Sequence, residues 1–185
     1  MTEMESPAGA STFTFANEGV DVVVDRTLPD GAPKAVVLIA HGMAEHAARY
    51  ARFAGELAER GYAVYAPDQR GHGRTAGGDD RLGWAGEDGW NGMLRDLARL
   101  AELVRERHPG VPLILFGHSM GSVLAQRFAQ LHGAELRGLI LSGTFGSAPN
   151  IGAGIAAARA LALVRGDRAP SSLQGPMFAD FNRAF

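Results

Sequence analysis

Apolar residues in this chain gather into short continuous blocks, separated by stretches with helical spacing. Ala35-Val36-Val37-Leu38-Ile39-Ala40 and Val111-Pro112-Leu113-Ile114-Leu115-Phe116 are runs of the kind required by a strand buried on both faces. Tyr62-Ala63-Val64-Tyr65-Ala66 and Leu139-Ile140-Leu141 read the same way. Ahead of them, Thr12-Phe13-Thr14-Phe15 and Val20-Asp21-Val22-Val23-Val24, joined by the turn Asn17-Glu18-Gly19, predict two short antiparallel strands. Amphipathic segments lie between the blocks. Residues 48–60 place Phe53 and Leu57 four apart and stop at Gly61. Residues 90–108 carry Leu94, Leu97, Leu100, Leu103 and Val104, and Pro109-Gly110 ends them. Residues 122–132 place Val123, Leu124, Phe128 and Leu131 on one face. Strands alternating with helices of this length predict an α/β fold, a mostly parallel sheet with crossover helices.

The pattern changes after Pro149. Two apolar helical segments, 151–164 and 177–185, are separated by Arg165-Gly166-Asp167 and Ala169-Pro170-Ser171-Ser172, and no further strand is predicted. The segment 151–164 is interrupted by Arg159 and is too short to span a bilayer, but it suits contact with a membrane surface or cover over an apolar pocket. At the other end, residues 1–11 are polar and acidic and are expected to be disordered. They lack the basic start and apolar core of a secretory signal, so a cytoplasmic location is expected. The hydrophobic fraction of 46% and the net charge of −2 suit a globular domain and give no sign of a nucleic-acid partner. No cysteine is present, which excludes disulfides and thiolate metal sites.

Chemistry concentrates at the ends of predicted strands, where an open α/β sheet places its site. Gly117-His118-Ser119-Met120-Gly121 lies between the strand 111–116 and the helix 122–132, and strand, G-x-S-x-G, helix is the context of a nucleophile elbow. The turn is so tight that the residues two positions either side of the serine must lack a Cβ, hence Gly117 and Gly121. The serine hydroxyl is held out at the carboxyl end of the sheet, and the helix N-terminus points its amides towards it. An oxyanion hole needs two backbone N–H groups. One is expected from Met120, and the other from the loop His41-Gly42-Met43-Ala44-Glu45-His46, at Met43. His41 and Gly42 are expected to order that loop.

The blocks 41–46 with Arg49-Tyr50, Asp68-Gln69-Arg70-Gly71-His72-Gly73, and 117–121 resemble those of α/β-hydrolases in residues, order and spacing. They are most similar to the monoacylglycerol lipase and lysophospholipase group, which is serine aminopeptidase S33-like. The resemblance covers about residues 12–185. It implies an α/β-hydrolase core over 12–148, the start of a helical cap over 149–185, and a chain truncated before the C-terminal strands. It further implies a serine ester hydrolase acting on a small, lipid-like apolar ester without cofactor or metal, with Ser119 as nucleophile.

The resemblance also implies a triad ordered Ser, acid, His, with the acid and histidine on loops beyond the cap. After Ser119 the acids are Glu135, Asp167 and Asp180, and the only histidine is His132. At about 1.5 Å per residue, His132 lies roughly 20 Å along the helix from Ser119, beyond the ~3 Å reach of a base. It reads as a solvated helix end, as does His108. His118 neighbours the serine but points to the opposite side. His41 and His46 are expected in packing or loop ordering, His72 in a turn bracing the elbow, and Asp68 with Arg70 in an ion pair. The acid and base of the triad are therefore expected to be missing from these residues, and the chain alone is expected to turn over little.

Gly71-His72-Gly73-Arg74-Thr75-Ala76 has the spacing of a dinucleotide loop, but Gly77-Gly78-Asp79-Asp80 follows where a helix would have to start. The alternative to an ester hydrolase is a non-catalytic, hydrolase-like protein that binds an apolar ligand or partner. A third reading keeps the fold and changes the substrate to an amide or another acyl group.

Overall fold

The computed structural model describes residues 4–5, 9–144, 146 and 151–166. Seven strands form one sheet: β1 Met4–Glu5, β2 Ala10–Asn17, β3 Val20–Thr27, β4 Ala35–Ala40, β5 Tyr62–Pro67, β6 Leu113–His118 and β7 Gly138–Ser142. Their spatial order is β1-β2-β3-β5-β4-β6-β7. The pairs from β1 through β3 to β5 are antiparallel, and β5, β4, β6 and β7 run parallel. Strand β2 starts at Ala10, where Ala10 and Ser11 pair with Thr27 and Arg26.

Among the described residues the helices are α1 Ala51–Glu59, α2 Gly89–Arg107, α3 Met120–His132 and α4 Ile151–Arg165. The chain divides into two compact units, Met1–Phe145 and Gly146–Phe185. Within the first unit, β4 leads through α1 to β5 on one side, and β5 leads through α2 back past β4 to β6 on the other. Because such crossovers are right-handed, reversing direction puts α1 on one face and α2 on the opposite one. The core divides accordingly. Leu94, Leu97, Leu100, Val104, Leu124 and Phe128 pack with Phe13, Val22, Val24, Leu38, Tyr65 and Leu115 on one face. Val37, Ile39, Val64 and Ala66 meet Ala47 and Ala54 on the other.

Two helix faces differ in detail from their expected stripes. In α1 the alanines Ala54 and Ala58 face the sheet, while Phe53 is partly exposed and tilts onto Phe116. In α3 the buried face is Gly121, Ser122, Leu124, Ala125 and Phe128, and Leu131 is exposed. The helix at 48–60 begins as a 3-10 turn, Ala47–Tyr50, before α1 proper. Strand β7 ends the sheet with Leu139 and Ile140 exposed.

The second unit is described by α4 alone. Gly152, Ile155, Ala156, Ala160, Leu163 and Val164 are exposed at i, i+3, i+4 spacing, an apolar row interrupted only by Arg159. The second apolar segment expected, 177–185, lies outside the described residues. Among the described residues, no helix is long and apolar enough to cross a membrane.

Candidate active site

Strands β4 and β6 are neighbours, with Ala40 opposite Gly117, yet the chain leaves β4 towards α1 on one face and β6 towards α3 on the other. That parting makes the switch-point crevice at the carboxyl ends of the strands. The loop after β4 and the turn after β6 form its two lips.

The turn after β6 is built on close approach. A Cβ on Gly121 would lie 2.0 Å from Ala40 O, and one on Gly117 would lie 2.5 Å from Gly121 O and 2.7 Å from Ser122 Cα. Neither position admits a side chain, so helix α3 sits directly against the end of β4. Ser119, between them, has φ 50 and ψ −118, a left-handed conformation rare for any residue but glycine. Its N–H donates to Ser142 O of β7 at 2.9 Å, and its carbonyl accepts the Ser122 N–H and the Ser122 hydroxyl at 2.9 and 2.6 Å. Ser119 is half-buried. Met120 opens α3, where helical geometry leaves the first amides without intrahelical acceptors.

The loop after β4 is built on polar contacts instead. His41 is fully buried. Its Nε2 accepts the Gln69 N–H at 3.0 Å, so its Nδ1–H donates to Gly42 O at 2.8 Å. Gln69 Nε2 in turn donates to His41 O at 2.7 Å. Burial, with the nearby His72 ring, lowers the His41 pKa to about 4, although the Gly42 bond opposes the shift. His41 is therefore a neutral strut. The Gly42 N–H donates to Glu45 Oε2 at 2.9 Å, and the same oxygen accepts the Tyr50 hydroxyl at 2.8 Å. Burial alone would raise the Glu45 pKa, but these two donors, His118 and Arg49 hold it below the ordinary value. Ala44 supplies the bend at φ 59. Met43 is exposed at the lip, and a Cβ built on Gly42 would lie 3.3 Å from Ser119 Cβ. Gly42, Met43, Ser119 and Met120 are thus brought to one crevice, with Gly117, Gly121 and His41 beneath it.

The remaining histidines are engaged elsewhere or exposed. His72 Nδ1–H donates to Arg70 O at 2.9 Å, and the ring stacks edge-on against His41, with 5.2 Å between ring centroids. His118 Nδ1 lies 3.2 Å from Ser142 Oγ. His132 meets Glu135 at 3.2 Å and lies over Phe128. His46 is exposed. His108 is not the solvated helix end expected, because Tyr65 Oη reaches its Nε2 at 2.8 Å and burial lowers its pKa. Among the described residues, no histidine is hydrogen-bonded to the Ser119 hydroxyl, and no three His, Asp or Glu side chains gather as metal ligands.

The expected Asp68–Arg70 pair does not form. Asp68, buried under the loop, accepts from Ala47 N, Arg74 N and Arg74 Nε at 2.7, 3.0 and 2.7 Å. Arg70 turns away to a two-point contact with the buried Asp96 of α2, at 2.6 and 2.9 Å. Both carboxylates brace the loop after β5, which carries Gln69 to His41. The sequence reading overlooked Glu45, Gln69 and Asp96 as supports. Only Glu45, three residues after the amide it accepts, left a local signal: a carboxylate reaching back three positions, as in a helix capping box.

Residues 31–177 match the family described as serine aminopeptidase, S33. The monoacylglycerol lipase of Mycolicibacterium smegmatis is 37% identical over 134 residues, which are 72% of this chain and 46% of that protein. Human monoglyceride lipase is 32% identical over 61% of this chain and 36% of its own length. Among solved structures, a thermostable carboxyl esterase from Bacillus coagulans in complex with glycerol superposes with a TM-score of 0.80 at 34% identity, covering 90% of this chain and 55% of that one. The chain thus spans about half, or less, of the proteins it matches. The elbow, the switch-point crevice and these matches agree, and the chain belongs to the serine aminopeptidase S33 family of α/β-hydrolases.

Proposed function

We propose that this chain carries the nucleophile and the oxyanion hole of a serine ester hydrolase acting on a small lipid-like ester. The observation that carries the reading is Ser119, held at φ 50 between β6 and α3 with the loop after β4 against it. In this reading Ser119 Oγ attacks the ester carbonyl carbon as a base takes its proton. The tetrahedral oxyanion accepts the N–H groups of Met43 and Met120, each worth about a hundred- to a thousandfold in rate. Collapse expels the alcohol, which takes the proton from the base, and the acyl-enzyme is hydrolysed by water to the free acid. The relatives' names, monoacylglycerol lipase and carboxyl esterase, favour an ester over an amide. Helix α4 is then the start of a cap, and its exposed Ile155, Leu163 and Val164 suit an acyl chain or shallow contact with a lipid surface.

The base and its orienting acid are assigned to residues outside these 185, because none of the histidines present is hydrogen-bonded to the Ser119 hydroxyl. That same fact favours the second reading, a hydrolase-like protein that binds an apolar ligand without turning it over. One comparison separates them. The 185-residue chain is expected to hydrolyse a short-chain glyceryl ester barely above background, while a polypeptide extended beyond Phe185 turns it over. Ser119→Ala in the extended form should cost at least about a thousandfold. Brisk hydrolysis by the 185 residues would overturn the incomplete triad. An extended form that binds the ester without cleaving it would establish the second reading.

A further inference from the structure

The loop that carries Met43 has no regular structure, yet its position decides whether that amide reaches an oxyanion. Gly42 is buried, and its N–H has its bond to Glu45 Oε2 at 2.9 Å. The Glu45 side chain is 11% exposed and spans from that amide to Tyr50, whose hydroxyl it accepts at 2.8 Å. Tyr50 immediately precedes α1, so this one oxygen ties the lip of the crevice to the helix beneath it. The other oxygen lies 3.5 Å from Arg49. Between the engaged Gly42 amide and Ala44, bent at φ 59, lies the amide of Met43, the one that the proposed hydrolysis uses.

We infer that Glu45 is a positioning residue: by holding the Gly42 amide and the Tyr50 hydroxyl on one oxygen, it sets the loop that presents Met43 N–H to the oxyanion. The inference rests on the proposed ester hydrolysis. Its role is geometric, because an anion beside a developing oxyanion opposes the charge that the site must stabilise. Its negative charge is offset by the two donors and by Arg49. A glutamine amide oxygen accepts the same two bonds, whereas alanine accepts neither. A misplacement of about 1 Å in such a site costs about a hundredfold in rate.

The test uses the polypeptide that shows Ser119-dependent hydrolysis, the extended form if the 185 residues are inert. E45A is expected to lower kcat about 10- to 100-fold with KM within about threefold, and E45Q to restore kcat to within about threefold of the parent. Tyr50→Phe, which removes one of the two donors, should fall between them and covers the case in which E45A does not fold. Unchanged kcat in E45A and Tyr50→Phe would overturn the inference, as would E45Q as slow as E45A. A rise in KM with kcat intact would also overturn it, by making Glu45 a substrate contact. Hydrogen exchange of the Gly42 amide judges the clamp without turnover: protection should drop in E45A and persist in E45Q. A turnover that survives Ser119→Ala would fail the serine reading itself, leaving the exchange result to decide the clamp.

Discussion

The turn after β6 and the loop after β4 face each other across the same crevice, and each holds one non-glycine residue at positive φ, Ser119 at 50 and Ala44 at 59. They are fixed by different means. The turn is fixed by backbone touching backbone at Gly117 and Gly121, with no room for a methyl group. The loop is fixed by side chains reaching in, with His41 and Gln69 from below and Glu45 and Tyr50 from the front. Contact of the first kind fails when an atom is added. Support of the second kind fails when a polar partner is lost or changes its charge.

The largest expected effect follows from that difference. Gly121→Ala puts a methyl 2.0 Å from Ala40 O, against backbone that has no rotamer to yield. It should destabilise by about 3 kcal/mol or more, the upper end of what overpacking costs, read as a lower urea midpoint at constant slope. Gly42→Ala introduces the same methyl 3.1 Å from Glu45 Oε2, the end of a side chain that can shift, and 3.3 Å from Ser119 Cβ, a much looser approach than 2.0 Å. Its cost should stay near about 1 kcal/mol. Equal costs for the two would erase the distinction between the lips.

The polar support is also the part that feels pH. His41 titrates at about 4 in the fold and at 6.5 when unfolded, because burial disfavours its cation. Between those values the unfolded chain binds a proton that the native chain does not. The His41 contribution is therefore fully present above pH 6.5 and lost as pH falls towards 4. The slope is at most about 1.4 kcal/mol per pH unit, on the order of 3 kcal/mol in all. His108, also lowered by burial, adds to the same slope, so the comparison is with His41→Asn, whose stability should fall less steeply across this window. Parallel curves for the two proteins would remove His41 as the sensor. Glu45 and Asp68, held below their ordinary range by their donors, add their loss only at lower pH.

These two kinds of support were not equally legible in the sequence. The apolar blocks 35–40, 62–66 and 139–141 lie within β4, β5 and β7, and 111–116 overlaps β6, because a buried parallel strand has to be apolar on both faces. The elbow was legible for the same reason, since a steric constraint leaves a residue-type signature, glycine at fixed offsets from the serine. The hydrogen-bonded brackets leave none. Arg70 finds Asp96 twenty-six positions away, and Asp68 takes Arg74 rather than its near neighbour, through a loop course that no local pattern encodes. His108 reads as a solvated helix end until Tyr65, forty-three residues earlier, closes on it. Helix faces were half legible: the apolar period in α1 is real, with Phe53 and Leu57 at the edge of the packing, but Ala54 and Ala58 take the fully buried positions.

The smallest expected effect lies at Ala44, and it probes the comparison most directly. A left-handed conformation costs a non-glycine residue roughly 1–2 kcal/mol, while glycine pays instead about 0.4–1 kcal/mol in the unfolded chain. Ala44→Gly should therefore raise stability slightly, by about 0.5 kcal/mol. The gain should come with looser geometry, because alanine narrows the backbone choices between Met43 and Glu45 and glycine widens them. Amide exchange at Gly42, whose N–H is bonded to Glu45, should quicken while exchange at Gly121 stays fixed by its contact with Ala40. Ser119 carries the same kind of strain without the same remedy, since relieving it with glycine removes the hydroxyl. If Gly42 exchange is unchanged in Ala44→Gly, then Glu45 and Tyr50 alone hold the loop, and the strain at Ala44 is incidental to it.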